Sequence, residues 1–342
     1  PGLLDQVSLN GTTWGLPLAI SPASLRYSPA FFDRAGLPYP QGGWSVTEFE
    51  QALISLATVM TEDEGEPLQI NTFDNSALLQ LIAAYGGFPV DYTTNPVTIN
   101  YTDPANVAAI REVLDLAKDG LISYSGFTTG DTTFTLTQDA PIYINFGGGV
   151  TFFTGDDGEA ATFDSDPQVS FPAGSGRPIV AYSTAVGYIS ANSIDVEACY
   201  RLLAEIAQTP GLVDGMPVTY SNLSDGGFRA QVGEETTQFY EEIADRIAQP
   251  DVNTLPTTTG LGRGLAGSII ESYWLNRAFD RYVLEDADLE AELLEAEQFT
   301  REYQTCVAET VPEDTEAQGP GGGNLFEVFT QCASAVDPTY TR

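Results

Sequence analysis

Carboxylates are the reactive groups this chain offers in quantity: 48 Asp and Glu against 13 Lys and Arg in 342 residues, with no histidine and Lys118 as the single lysine. The lack of histidine removes Ser-His-Asp and Cys-His nucleophile systems, the usual zinc sites, and the side chain most used for proton transfer near neutral pH. What remains for an enzyme is paired carboxylate chemistry of the glycosidase kind. So many Asp and Glu make chance pairs inevitable, and no pair stands out. The acidic runs Glu62-Asp63-Glu64-Gly65-Glu66 and Asp156-Asp157-Gly158-Glu159 could offer oxygens to calcium. Neither has the alternating Asp/Asn spacing and distant Glu of a calcium loop, so they read as solvated charge and no metal or cofactor is expected. Three consecutive glycines, Gly147 to Gly149, free the backbone to approach a ligand. No Lys-Ser/Thr follows them, which excludes a phosphate loop. The net charge of -35 repels phosphate backbones and anionic membrane, which excludes a nucleic-acid partner.

The elements that must carry these groups alternate between strand and helix. Gly15 and Pro17 flank an apolar strand, and a second extended run follows from Ala23 to Tyr27. Pro29 suits the first turn of a helix that ends at Gly36. Ser45 with Glu48 has capping-box spacing, opening a helix at about Val46. Pro67 to Phe73 reads as a strand, Asn75 to Ala84 as a helix, Thr94 to Tyr101 as extended, and Ala105 to Lys118 as a helix closed by Gly120. Strands are expected at 139–145, 169–172 and 178–189, and helices over 195–207, 236–248, 265–284, 288–307 and 324–336. The longest uncharged stretches, 140–155 and 178–194, are interrupted by Gly, Pro, Asn, Ser and Thr, and neither is an apolar span of ~20 residues. Asn10, Asn100 and Asn222 are formal glycosylation acceptors of a pattern that arises by chance.

The order Gly-Thr-Thr-Trp-Gly-Leu-Pro (11–17), Leu-Arg-Tyr-Ser-Pro-Ala-Phe-Phe-Asp-Arg-Ala-Gly-Leu-Pro (25–38) and Trp-Ser-Val-Thr-Glu-Phe (44–49) resembles the extracellular solute-binding proteins of ABC importers, the family that includes maltose-binding protein. The resemblance implies an α/β, two-lobed type II periplasmic-binding-protein fold, with strands crossing between lobes near residues 15–22, 179–189 and 216–220. It places ligand between the lobes, against the crossing strands and aromatic side chains. Carried over by position, the ligand-binding candidates are Ser21, Asp74, Ser76, Asn145, Phe146, Gly148, Tyr182, Thr184, Tyr273 and Trp274. Stacking suits sugars, whose C–H faces are apolar while their hydroxyls need fixed partners. Where the family usually reads Gly-x-Trp this chain has no tryptophan, so Phe146, Phe152 or Phe153 would have to stack in its place. Tyr273 and Trp274 lie among Ile269, Ile270, Leu275 and Phe279, so core packing is an equal alternative for both; Asp74 could equally be a solvated loop carboxylate, and Trp44 a turn-packing residue.

The expected organisation is a partial lobe one from 1–18 and 184–222, lobe two from 19–183 and 225–305, and a helical C-terminal extension over 306–342. Lobe one is incomplete on this reading: in the family ~100 residues precede the first crossing, a domain-sized piece. The chain is therefore expected to be part of a longer, exported precursor. With export implied, Cys306 and Cys332, which frame a Gly/Pro-rich segment, are expected to form a disulfide, while Cys199 reads as a small buried hydrophobe. The function implied is the extracytoplasmic, periplasmic or cell-surface binding component of an ABC importer, taking a sugar, oligosaccharide or polyol and handing it to a membrane permease, with no chemistry on the ligand and a lipid anchor conceivable in the missing region. Two alternatives stand beside it, a carboxylate-based carbohydrate-active enzyme and an acidic structural or surface-layer protein.

Overall fold

The computed structural model describes residues 3–9, 12–70, 75–91, 94, 97–128, 140–145, 166–174, 179–249, 253–256, 270–310 and 325–340. The chain divides into two compact units: unit 1 is Pro1–Gln69, Thr137–Ala173 and Pro178–Thr258, and unit 2 is Ile70–Leu136, Gly174–Arg177 and Thr259–Arg342.

Unit 1 holds, numbered in chain order, strands β1 (Ser8–Leu9), β2 (Thr12–Thr13), β3 (Leu16–Pro22), β4 (Ser24–Tyr27), β5 (Leu68–Gln69), β8 (Ile142–Asn145), β9 (Gln168–Val169), β10 (Ile179–Gly187), β11 (Met216–Pro217) and β12 (Asn253–Pro256), with β6 (Val90–Asp91) and β7 (Thr98–Ile99) in unit 2. Its helices are α1 (Leu3–Gln6), α2 (Pro29–Ala35), α3 (Val46–Ala57), α6 (Val196–Gln208), α7 (Tyr220–Leu223), α8 (Gly226–Val232) and α9 (Glu234–Ile247). Beyond the β1–β2 hairpin, two four-stranded sheets form, in the orders β11-β3-β10-β12 and β5-β8-β4-β9. The chain changes sheet between Pro22 and Ser24. Pro22 has no N–H to give the ladder, and the Ala23 amide donates to the Ala181 carbonyl at 2.8 Å.

Local signals explain the short elements. Ser45 caps α3: its hydroxyl accepts from the Glu48 amide at 3.2 Å, and the Glu48 carboxylate accepts from the Ser45 amide at 2.7 Å. Helix α2 starts on Pro29 and stops at Gly36, whose φ of +66° is open to glycine. Trp44 is a turn-packing residue: it is buried, stands edge-on to Phe49 and donates Nε1–H to the Ser170 carbonyl at 2.9 Å. The pair α7–α8 lies where the sequence pattern names no element. Gly226 and Gly227 argue against a helix, but Asp225 caps α8 by accepting from the Phe228 amide at 2.9 Å, and Phe228 is buried in the core.

Unit 2 is mainly helical, with α4 (Ser76–Ala84), α5 (Pro104–Lys118), α10 (Tyr273–Glu285), α11 (Leu289–Thr310) and α12 (Leu325–Val336) beside the two-residue strands β6 and β7. The extended run expected over 94–101 thus shrinks to Thr98–Ile99, and the helix expected from 265 is described from residue 270. Two buried carboxylates tie this unit together. Asp280 on α10 accepts from Tyr124 Oη at 2.7 Å, from the amides of Phe127 and Thr128 at 2.8 and 2.7 Å, and from Thr128 Oγ1 at 2.6 Å. Burial and this neighbouring carboxylate push the Tyr124 hydroxyl well above the usual phenol range. Asp337, after α12, accepts from Trp274 Nε1 at 3.0 Å, Arg277 Nη1 at 2.6 Å and Thr339 Oγ1 at 2.6 Å. Burial raises its pKa, but the Thr339 and Trp274 hydrogen bonds and the Arg277 charge outweigh that and hold it below the usual carboxylate range. Cys306 and Cys332 are joined by a disulfide, with their Cα atoms 5.7 Å apart, so the residues from α12 onward are covalently and ionically fixed to α10 and α11. Cys199 is a free, half-buried thiol.

Replacing Asp280 by Ala strands the buried Phe127 amide together with the part-buried Thr128 amide and Tyr124 hydroxyl, so unfolding by urea should show a loss of roughly 3 kcal/mol. A change below the error of the measurement would show that the 124–128 segment is held by other contacts.

Candidate functional site

The central ladder of unit 1 sets the first group of candidates. β3 and β10 run antiparallel with Tyr182 opposite Pro22, Ser183 opposite Ser21 and Thr184 opposite Ile20. Side chains alternate along a strand and directly opposed residues share a face. Tyr182 and Thr184 therefore lie on the face of Ile20, and Ser21 lies on the other face with Ser183.

Tyr182 is 2% exposed and packs in a cluster with Ile20, Val180, Met216, Leu223, Phe228, Phe239 and Ile243. Thr184 continues this face but is only half-buried, and its Oγ1 is enclosed without a hydrogen-bond partner among the described residues. A buried hydroxyl left unmatched costs about 1–3 kcal/mol, which makes it a polar atom that a ligand or water can satisfy. Ser21 is buried beneath the short β11 edge. Gly215 makes that approach feasible: it has φ +116°, and a Cβ there would lie 2.6 Å from the Ile20 carbonyl oxygen and 3.1 Å from Ser21 Oγ.

Asn145 ends β8, with its backbone in register with Ser24 of β4. Phe146, Gly148, Phe152 and Phe153 lie outside the described residues, as does Asp74.

In unit 2, Ser76 is the half-buried first residue of α4. Asn75 before it was not singled out from sequence, yet it is 5% exposed and its Nδ2 is enclosed with no partner among the described residues. An Asn preceding an apolar helix is a capping signal, but its side chain makes no cap here. Tyr273 is buried against Tyr340, ring centroids 4.7 Å apart. Trp274 has no exposed surface; its ring packs on Phe299, Tyr303 and Tyr340, and its single donor is spent on Asp337. In this conformation Trp274 is core. The structure thus groups Ser21, Tyr182 and Thr184 on adjacent strands of unit 1, and Asn75 with Ser76 at one helix end of unit 2.

The chain is acidic as a whole, and its few described cations are committed. Arg34 meets Glu64 with both guanidinium nitrogens at 2.8 and 2.9 Å, which together with the Thr61 amide lowers the Glu64 carboxyl to about 2. Arg111, Lys118, Arg201, Arg229, Arg246, Arg277, Arg281 and Arg301 each pair with a carboxylate, and Arg26 donates to the Asp166 carbonyl. Among the described residues no cluster of three or more His, Cys, Asp or Glu side chains could hold a metal ion, and no helix is long and apolar enough to cross a membrane. The acidic run at 156–159 lies outside the described residues. A recess between α6 and β3, lined by Leu18, Ile206, Pro210, Val213 and Asn222, includes none of the candidates.

Among solved structures, the maltose-bound MalE3 of T. maritima superposes on 88% of this chain and 75% of its own, with a TM-score of 0.62 at 15% identity. The chain has the fold of the ABC-importer substrate-binding proteins. MalE of Xanthomonas citri, a sugar-binding protein, matches 91% of this chain and 76% of its own, TM-score 0.62, 14% identical. UgpB of Mycobacterium tuberculosis, solved with glycerophosphocholine, matches 87% and 73%, TM-score 0.58, 18% identical. No family model matches the sequence, and no curated protein matches it.

If Thr184 Oγ1 is unsatisfied in the free protein, the isosteric Thr184→Val change should raise the ligand-free urea midpoint, by about 1 kcal/mol in stability. A lowered midpoint would show that the hydroxyl already has a partner.

Proposed function

We propose that the protein is the extracytoplasmic substrate-binding component of an ABC importer, binding a neutral sugar, oligosaccharide or related polyol and delivering it to a membrane permease. The observation that carries this reading is the fold, shared with many binding proteins of sugar transporters. The charge pattern supports a neutral solute. With the described cations already paired, an anion would enter a strongly acidic field with no free counter-charge there. Thr184 on the crossing strand β10, Asp74, Asn75, Ser76 and the Asn145–Gly148 stretch are the polar groups assigned to the solute hydroxyls, and Phe146 is the aromatic surface assigned to its apolar faces; Ser21, on the opposite face of the sheet, and Tyr273, buried against Tyr340, are left out of the assignment. In this reading the crossing strands join two lobes, and ligand contacts made only in the closed form shift the population toward closure. The solute leaves chemically unchanged.

A thermal-shift series with a maltooligosaccharide, a chitin oligosaccharide, glycerophosphocholine, a dicarboxylate and a tripeptide tests the class. A solute that binds only the folded protein adds RT ln(1 + [L]/Kd), about 2.7 kcal/mol at a hundredfold excess over Kd. A raised melting temperature with a neutral oligosaccharide is the expected result. Shifts with the anion or the peptide alone would overturn the assignment.

A further inference from the structure

The Asn-x-Ser/Thr patterns at Asn10, Asn100 and Asn222 have no part in the binding reading. Asn10 lies outside the described residues. The other two stand in opposite surroundings. Asn222 is half-buried in the short helix α7, and its Nδ2 donates to the Ala207 carbonyl in the last turn of α6 at 3.1 Å. Ser224, the third residue of that pattern, caps the end of α7 and donates its hydroxyl to the Tyr220 carbonyl at 3.0 Å. Residues two apart on a helix point about 200° from each other, so this Asn and this Ser do not face one partner together.

Asn100 is exposed in the connection between β7 and α5, and its side chain makes no hydrogen bond among the described residues. Its backbone, by contrast, is held at both ends. The amide donates to the Pro89 carbonyl at 2.9 Å, and the carbonyl accepts from Asn106 Nδ2 at 2.6 Å. Tyr101 is buried, and Thr102 donates through both its amide and its hydroxyl to Glu297 Oε2, at 2.9 Å each. The turn is thus anchored by its backbone and by its second and third residues, while the Asn100 amide group stands in water. A bulky hydrated group on Nδ2 displaces no contact of the fold there. On Asn222 it would displace the bond to Ala207 and press on α6.

We propose that Asn100 is an N-glycosylation site, its Nδ2 accepting an oligosaccharide from a polyprenyl phosphate or diphosphate carrier, and that Asn222 is not. A bond forms between Nδ2 and the anomeric carbon of the first sugar, and the bond from that carbon to the carrier's phosphate oxygen breaks. The amide proton ends on the released lipid phosphate, and no oxidant or reductant takes part. The hydroxyl of the third residue belongs to the pattern the transferring enzyme reads, yet Glu297 holds the Thr102 hydroxyl in the folded chain. Transfer therefore precedes the folding of this turn, and the fold then sets which acceptor carries its sugar without loss of contacts. The proposal rests on the extracytoplasmic placement argued above, because sugars on such carriers are transferred outside the cytoplasm. It is independent of which solute is bound.

The test is peptide mass analysis of the protein purified from its native source, with fractionation of the same cells. The expected result is a sugar mass on the peptide that spans Asn100, none on the peptide that spans Asn222, and protein recovered outside the cytoplasm. In the same source, Asn100→Gln should lose the whole sugar increment from its peptide. Thr102→Val should lose it with Asn100 still in place, and Thr102→Ser, which keeps the hydroxyl, should retain it. An unmodified Asn100 in protein recovered outside the cytoplasm would overturn the proposal and leave the importer reading standing. Protein confined to the cytoplasm would overturn both. Sugar on the Asn222 peptide, or a sugar on the Asn100 peptide that survives Thr102→Val, would overturn the proposal as well.

Discussion

Unit 1 depends on one pairing, the antiparallel ladder between β3 and β10. It brings residues 16–22 against residues 179–187, so it closes a long loop before it gains anything, and its hydrogen bonds and shared apolar face have to repay that entropy. Two further strands of its sheet attach to it. β11 adds to β3 through Met216 and Pro217, and β12 adds parallel to β10 from Asn253 to Pro256. Helices α8 and α9 cover the Ile20–Tyr182 face, and the chain leaves β3 directly into the second sheet through β4. Thr184, whose hydroxyl is unmatched among the described residues, also sits on this pair, on the face opposite to Ser21. A site built on paired strands is held more rigidly than one built on loops, and the unmatched Thr184 hydroxyl is the kind of local cost that functional positions carry.

Unit 2 solves a different problem. Its helices are joined by distant stretches of chain, and the joints are polar. Asp280 gathers the turn at 124–128 onto α10, and Asp337 gathers the C-terminal residues onto Trp274 and Arg277. Burying a carboxylate is costly unless each of its oxygens is matched by donors. Both residues meet that condition, Asp280 with neutral donors and Asp337 with neutral donors and a guanidinium. The net charge of -35 therefore hides a division of labour. Most acidic residues solvate the surface, while a few act as internal anchors.

Local rules made much of this legible. The Ser45–Glu48 capping box, Pro29 and Gly36 around α2, and Pro104 and Lys118 around α5 all mark element ends whose physics is complete within a few residues. The order of the Gly-Leu-Pro strand, the Tyr-Ser-Pro-Ala helix start and the Trp turn pointed to the binding-protein fold that the solved structures share. What sequence could not show depended on neighbours far away in the chain. The helix at Gly226–Val232 exists because Phe228 finds a core around Ile20 and Tyr182. Trp274 is core rather than surface because Phe299, Tyr303 and Tyr340 surround it and Asp337 takes its N–H. Asn75 reads as an ordinary helix cap until its burial is known. No local pattern distinguishes Asp280 from the many solvated carboxylates around it.

Reversible capture of a neutral carbohydrate without chemistry is tested by calorimetric titration with a neutral oligosaccharide followed by mass analysis of the recovered sugar. Saturable binding at one site per chain, with the sugar returned intact, is the expected result. Its hydrolysis or transfer, or a flat titration across neutral oligosaccharides of several linkages, would contradict it.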